Sequence, residues 1–142
     1  MSQGSSAATG HTPRIAISLR YSVFTLAYAA MVYWLSSLPE AGKGGSSPLA
    51  RLAVNLYHFP LYAGLGFFAL QAISRGRALA AHRWTRGALT FLAVGAVALL
   101  DEWHQVYVLG RNPSLVDVLL DLAGVATFLL VCALGTERGR RS

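Results

Sequence analysis

Two long stretches of this 142-residue chain carry no charged side chain: Tyr21 to Pro39, 19 residues, and Leu52 to Ser74, 23 residues. As helices rising about 1.5 Å per residue, each is long enough to cross the ~30 Å hydrocarbon core of a bilayer. A soluble domain breaks such runs with solvated faces and carries about 25% charged residues. Here 13% of residues are charged and 54% are hydrophobic, too few polar groups to coat one core. The expected class is therefore all-α, a polytopic membrane protein. A cleaved signal peptide competes for the first run, because Arg14 and Arg20 precede it, but no clean small-x-small cleavage site follows.

The second half has shorter uncharged runs, 14 residues from Gly87 to Leu100 and 15 from Leu122 to Thr136. Each reaches spanning length only by absorbing acidic neighbours, Asp101 and Glu102 in one and Asp117 and Asp121 in the other. The expected bundle has four transmembrane helices at about 20–38, 52–73, 87–108 and 115–134. The short link Leu109-Gly110-Arg111-Asn112-Pro113-Ser114 makes the last two an antiparallel hairpin. Residues 1–13, rich in Ser, Gly, Ala and Thr, read as a disordered arm before a domain at 14–136, and 137–142 as a basic cytoplasmic tail.

The chain carries 12 basic residues against 6 acidic ones, net +6. The basic residues flank apolar runs and form no stripe on a polar helix, which argues against nucleic acid as a partner and for the bilayer. Nine of them (Arg14, Arg20, Arg75, Arg77, Arg83, Arg86, Arg138, Arg140, Arg141) fall on one side of the expected spans and three (Lys43, Arg51, Arg111) on the other. The positive-inside rule then places both termini in the cytoplasm. The single cysteine, Cys132, leaves no intrachain disulfide and reads as a packing residue.

Counting rise from the cytoplasmic helix ends puts His58, Asp101 and Asp121 at one depth, about 20 to 23 Å up, with Ser36 and Ser37 close to it. His104, Gln105, Arg111 and Asp117 fall just above. Asp101, His104 and Gln105 share a helical face, as do Asp117, Asp121 and Gly124. A charge facing lipid costs at least about 2.5 to 3.5 kcal/mol, so both faces should turn inward, forming a polar pocket open to the outer side. Gly124 lets its helix approach a neighbour closely. Each residue also has a plainer reading. Ser114 and Asp117 fit a helix-capping box, Arg111 could neutralise Asp101, Glu102 or Asp117, and Gln105 could bridge helices. Trp34, Trp103, Tyr33 and Tyr107 suit interfacial anchors.

The stretch Leu100-Asp101-Glu102-Trp103-His104-Gln105, followed by Arg111, Ser114, Asp117 and Gly124, resembles the VanZ-like family. Trp34-Leu35-Ser36-Ser37-Leu38-Pro39 is similar to that family's Ser-Ser segment, and His58-Phe59 with Tyr62 and Leu65-Gly66 to its second-span motif. Asp121, Asn55 and Phe128 depart from the pattern, which more commonly has Asn, Lys and Gly there. The resemblance implies a small multi-pass protein of the bacterial inner or plasma membrane and a connection with resistance to the glycopeptide teicoplanin.

Three functions are open at this point. A pocket of Ser36, Ser37, His58, Asp101, Glu102, His104, Gln105, Arg111, Asp117 and Asp121 could bind an envelope amphiphile, a lipid-linked precursor or a lipoglycopeptide. The same groups could form a membrane-embedded enzyme, with Asp101 or Glu102 as acid or base and His58 or His104 beside it. They could also be architecture, or a proton or ion relay. A metal set would draw on His58, Asp101, His104 and Asp117. No HExxH motif or cysteine ligand set supports it, so no metal or other cofactor is expected. The binding reading is favoured over the enzyme, and the oligomeric state is left open.

Overall fold

The computed structural model describes residues 17–38, 56–75, 82–111 and 113–138, and among these it is entirely helical. Four helices follow in order: α1 Leu19–Ser36, α2 His58–Ser74, α3 Arg83–Gln105 and α4 Leu115–Arg138. The expected arm at 1–13, Asn55, Lys43 and Arg51, and the final residues of the tail lie outside the described residues.

Local sequence explains where the helices stop and start. No Gly or Pro interrupts Leu19 to Ser36. The start of α1 is tied down by the Ser18 amide, which donates to the Ala72 carbonyl near the end of α2 at 2.8 Å. Pro60 sits in the first turn of α2, where its missing N–H has no intrahelical partner to lose. Helix α3 begins one turn before the uncharged run, taking in Arg83 and Arg86, because arginine is a good helix former. It ends at Gln105, short of the expected 108, and the chain turns through Gly110 at φ 83°, a left-handed conformation that suits glycine. Helix α4 runs past the expected 134 into the basic tail, as far as Arg138.

The helices run alternately up and down, so one end holds the α3–α4 turn with the end of α1 and the start of α2. We call this the turn end, and the opposite one the tail end. Helix α2 is central and packs on α4, α1 and α3, while α1 touches α3 only lightly. The shared core is small: Val32, Tyr62, Leu65, Ala69, Val94, Ala98 and Val125. Much larger apolar side chains point outward on every helix, among them Leu26 at 71% exposure, Trp84 at 76% and Leu119 at 64%. Seven polar residues, including Asp101, Asp117 and Asp121, are buried instead.

Among the described residues two helices, α3 and α4, are long and apolar enough to cross a membrane. The sequence pointed to four. Helix α1 contains Arg20, three tyrosines and Trp34, which dilute its apolar character, and α2 is 17 residues long, beginning after the turn at Tyr57.

Candidate functional site

At the turn end, α1 and α3 meet through Ser36, the last residue of α1. Its Oγ donates to Asp101 Oδ1 at 2.5 Å and also lies 2.9 Å from the Tyr33 carbonyl one turn back. Gln105 Nε2 donates to the other oxygen, Asp101 Oδ2, at 3.1 Å. The glutamine therefore supports its own helix at i, i+4 and does not bridge helices as expected. Asp101 is almost wholly buried, and both of its oxygens are occupied.

Beside this pair, Ser37 Oγ donates to the Tyr33 carbonyl at 2.7 Å and stands 3.1 Å from His104 Nε2. The other ring nitrogen, His104 Nδ1, lies 3.3 Å from the Tyr33 hydroxyl, so the imidazole is held between α1 side chains at both nitrogens.

On the other side of the bundle, α2 and α4 meet through His58 Nδ1 and Asp121 Oδ1, 3.1 Å apart. The imidazole lies parallel to the Tyr62 ring, centroids 6.4 Å apart at 6°. The Tyr62 hydroxyl is buried without a partner, within electrostatic reach of Asp101, Glu102 and Asp121. Gly124 makes the approach of the two helices feasible, since a Cβ there would collide with the Phe59 carbonyl.

The turn itself differs from expectation in two places. In place of Asp117, the Glu102 carboxylate accepts the Ser114 amide. Ser114 Oγ in turn accepts from the Val116 amide at 3.1 Å, so the start of α4 is capped from two helices. Arg111 forms no salt bridge among the described residues; its Nη2 donates to the Leu35 carbonyl at 3.3 Å, at the negative end of α1. The consequence is two charged side chains with unused capacity: Asp117 Oδ1 and Arg111 Nε are buried and unpartnered. Together with the Tyr62 hydroxyl they offer an acceptor and two donors that no group among the described residues satisfies.

All ten residues expected of the site thus fall at the turn end, with one hydrogen-bonded group between α1 and α3 and another between α2 and α4. Tyr33 and Tyr62 belong beside them and were not expected there. Tyr62 lies four residues after His58 and Tyr33 four before Ser37, so helical spacing from those residues was the available signal. Among the described residues, no three His, Cys, Asp or Glu side chains gather as a metal site would require.

The VanZ/LLP1 family model matches residues 3–135, spanning all four helices and the turn-end cluster. The chain belongs to the VanZ/LLP1 family. No curated protein and no solved structure matches it. In this VanZ/LLP1 protein the motifs that carried the resemblance converge in space. The Ser-Ser segment meets the Asp101 helix end, and the His58 motif meets the face of α4 that holds Asp121 and Gly124. Two apolar helices and the family assignment are together compatible with a membrane protein.

Proposed function

We propose that this VanZ/LLP1 protein is a four-span membrane protein with both termini in the cytoplasm. Its turn-end cluster faces the outer side and binds the headgroup of a cell-envelope amphiphile, a lipid-linked wall precursor or a lipid-tailed glycopeptide. In this way the protein contributes to glycopeptide resistance. The observation that carries the reading is the inverted distribution of polarity among the described residues: large apolar side chains cover the outside while Asp101, Gln105, Asp117 and Asp121 are buried and His58, His104 and Arg111 are half-buried beside them. In lipid that is the economical arrangement, because intramembrane ionisable groups turn toward each other or toward a wet cavity. The nine-to-three distribution of basic residues supports the orientation. The free valences of Asp117, Arg111 and Tyr62 suit a hydroxyl- and amide-rich headgroup that can both donate and accept.

An alanine scan of His58, Asp101, Glu102, Gln105, Arg111 and Asp117, read in parallel for membrane insertion and for glycopeptide sensitivity, tests this. Asp117→Ala is the most telling, because Asp117 Oδ1 has no hydrogen-bond partner among the described residues whose loss would unfold the bundle. The expected result is changed sensitivity at normal insertion. Sensitivity that changes only where insertion fails would reduce the cluster to architecture.

A further inference from the structure

A second cavity-forming region lies at the opposite end. Between α3 and α4 a groove of about 400 Å³ is walled by Trp84, Phe91, Leu129 and Leu130 and floored by small residues. Gly87 borders the open space: a Cβ built there meets nothing within 4 Å. The lining is apolar except at the mouth, where Arg83 Nη1 pairs with Glu137 Oε1 at 3.0 Å and the guanidinium lies 5.1 Å from the Trp84 ring. Both partners of the pair are partly exposed.

Distance along the helices gives the groove a length. From Arg83 to Phe91 on α3 and from Ala133 to Ala126 on α4 it runs about 10 to 12 Å. That fits within a single leaflet, half of the ~30 Å hydrocarbon core. An apolar slot that lies within one leaflet, with Arg83 at its mouth and Glu137 paired to it, matches a stretch of one acyl chain below one headgroup. The pair also selects the headgroup. A purely anionic one would meet Glu137 as well as Arg83, whereas a phosphate with a primary ammonium can place the phosphate on the guanidinium and the ammonium on the carboxylate.

We propose that this groove is a binding site for one phospholipid whose headgroup carries a phosphate and a primary ammonium, of the phosphatidylethanolamine type. The ligand's acyl chain lies over Gly87, and Arg83 and Glu137 grip its headgroup. The proposal rests on the four-span reading and is independent of what the turn-end cluster binds.

The test uses full-length protein with Trp34→Phe and Trp103→Phe, leaving Trp84 as the reporter. It is reconstituted in phosphatidylcholine vesicles doped with acyl-brominated phosphatidylethanolamine, phosphatidylglycerol or phosphatidylcholine. Quenching of Trp84 by the brominated phosphatidylethanolamine should reach half-maximum at about two- to fivefold lower mole fraction than by the other two, the selectivity a partly exposed ion pair can supply. Gly87→Leu, which fills open space, and Arg83→Gln should each bring it to the level of bulk lipid. Equal quenching by all three lipids would overturn the site and leave the membrane reading intact, and no quenching by any would overturn both. Quenching that changes with protein concentration, with Gly87→Leu altering the oligomeric size, would assign the groove to a second copy and overturn the lipid.

Discussion

At the turn end, α1 to α4 bring together Ser36, His58, Asp101, Gln105 and Asp121, close most of the bonds among them, and leave few unfilled polar atoms. At the tail end, α3 and α4 part around Gly87 and leave an apolar slot, with one exposed ion pair at its mouth. The contrast is between two uses of glycine. Gly124 removes a side chain so that two backbones can touch, and Gly87 removes one so that something else can enter. The same helices are therefore closed where they are polar and open where they are apolar, opposite to a soluble bundle and suited to a lipid solvent.

The largest expected effect breaks this contrast directly. Gly124→Leu puts side-chain atoms where the Phe59 carbonyl stands and should cost more than about 3 kcal/mol or prevent folding, since a packed backbone cannot move aside. Gly87→Leu should leave the unfolding midpoint in detergent within a few degrees of the parent. Equal loss in both would mean the tail-end groove is not open.

Asp101→Ala comes next. It leaves the Gln105 amide without its buried acceptor, about 1 to 3 kcal/mol for the orphaned group, while the Ser36 hydroxyl falls back on the Tyr33 carbonyl. Thermal stability should fall well below that of Asp117→Ala, whose Oδ1 has no hydrogen bond to lose among the described residues. Similar losses would show that Asp117 has a structural role after all.

Glu102→Ala removes half of the cap on α4 and should cost about 1 kcal/mol, confined to the first turn. Hydrogen exchange at the Ser114 amide should quicken while the middle of α4 stays protected. Smallest is Arg83→Gln, whose partly exposed pair with Glu137 should contribute at most about 1 kcal/mol. A larger loss would make the ion pair a clamp between α3 and α4 and not a headgroup site.

Which helix ends meet was legible in the sequence because helix rise is fixed. Counting residues puts His58 level with Asp121 and Ser36 near Asp101, and each of these pairs is in hydrogen-bond contact. Partner choice was less legible. Glu102 follows Asp101 by one residue, so it points about 100° around the helix, toward the turn and the Ser114 amide, and takes the cap that spacing alone would give Asp117. Arg111 goes to a helix carbonyl instead of an acid because the end of α1 lies beside the turn, a tertiary fact. The groove was not legible at all. Gly87 reads as the first residue of an uncharged run, and only the packing of α3 on α4 shows that its missing side chain leaves a space.

The decisive measurement is sidedness of the polar cluster. In a Cys132→Ala background, Asp117→Cys and Gly135→Cys are each exposed to a membrane-impermeant maleimide, on intact cells and on inverted vesicles. Modification of position 117 in whole cells and of position 135 only in inverted vesicles is the predicted pattern. Labelling of both positions from the same side, or position 117 reacting only in inverted vesicles, would contradict an outward-facing site.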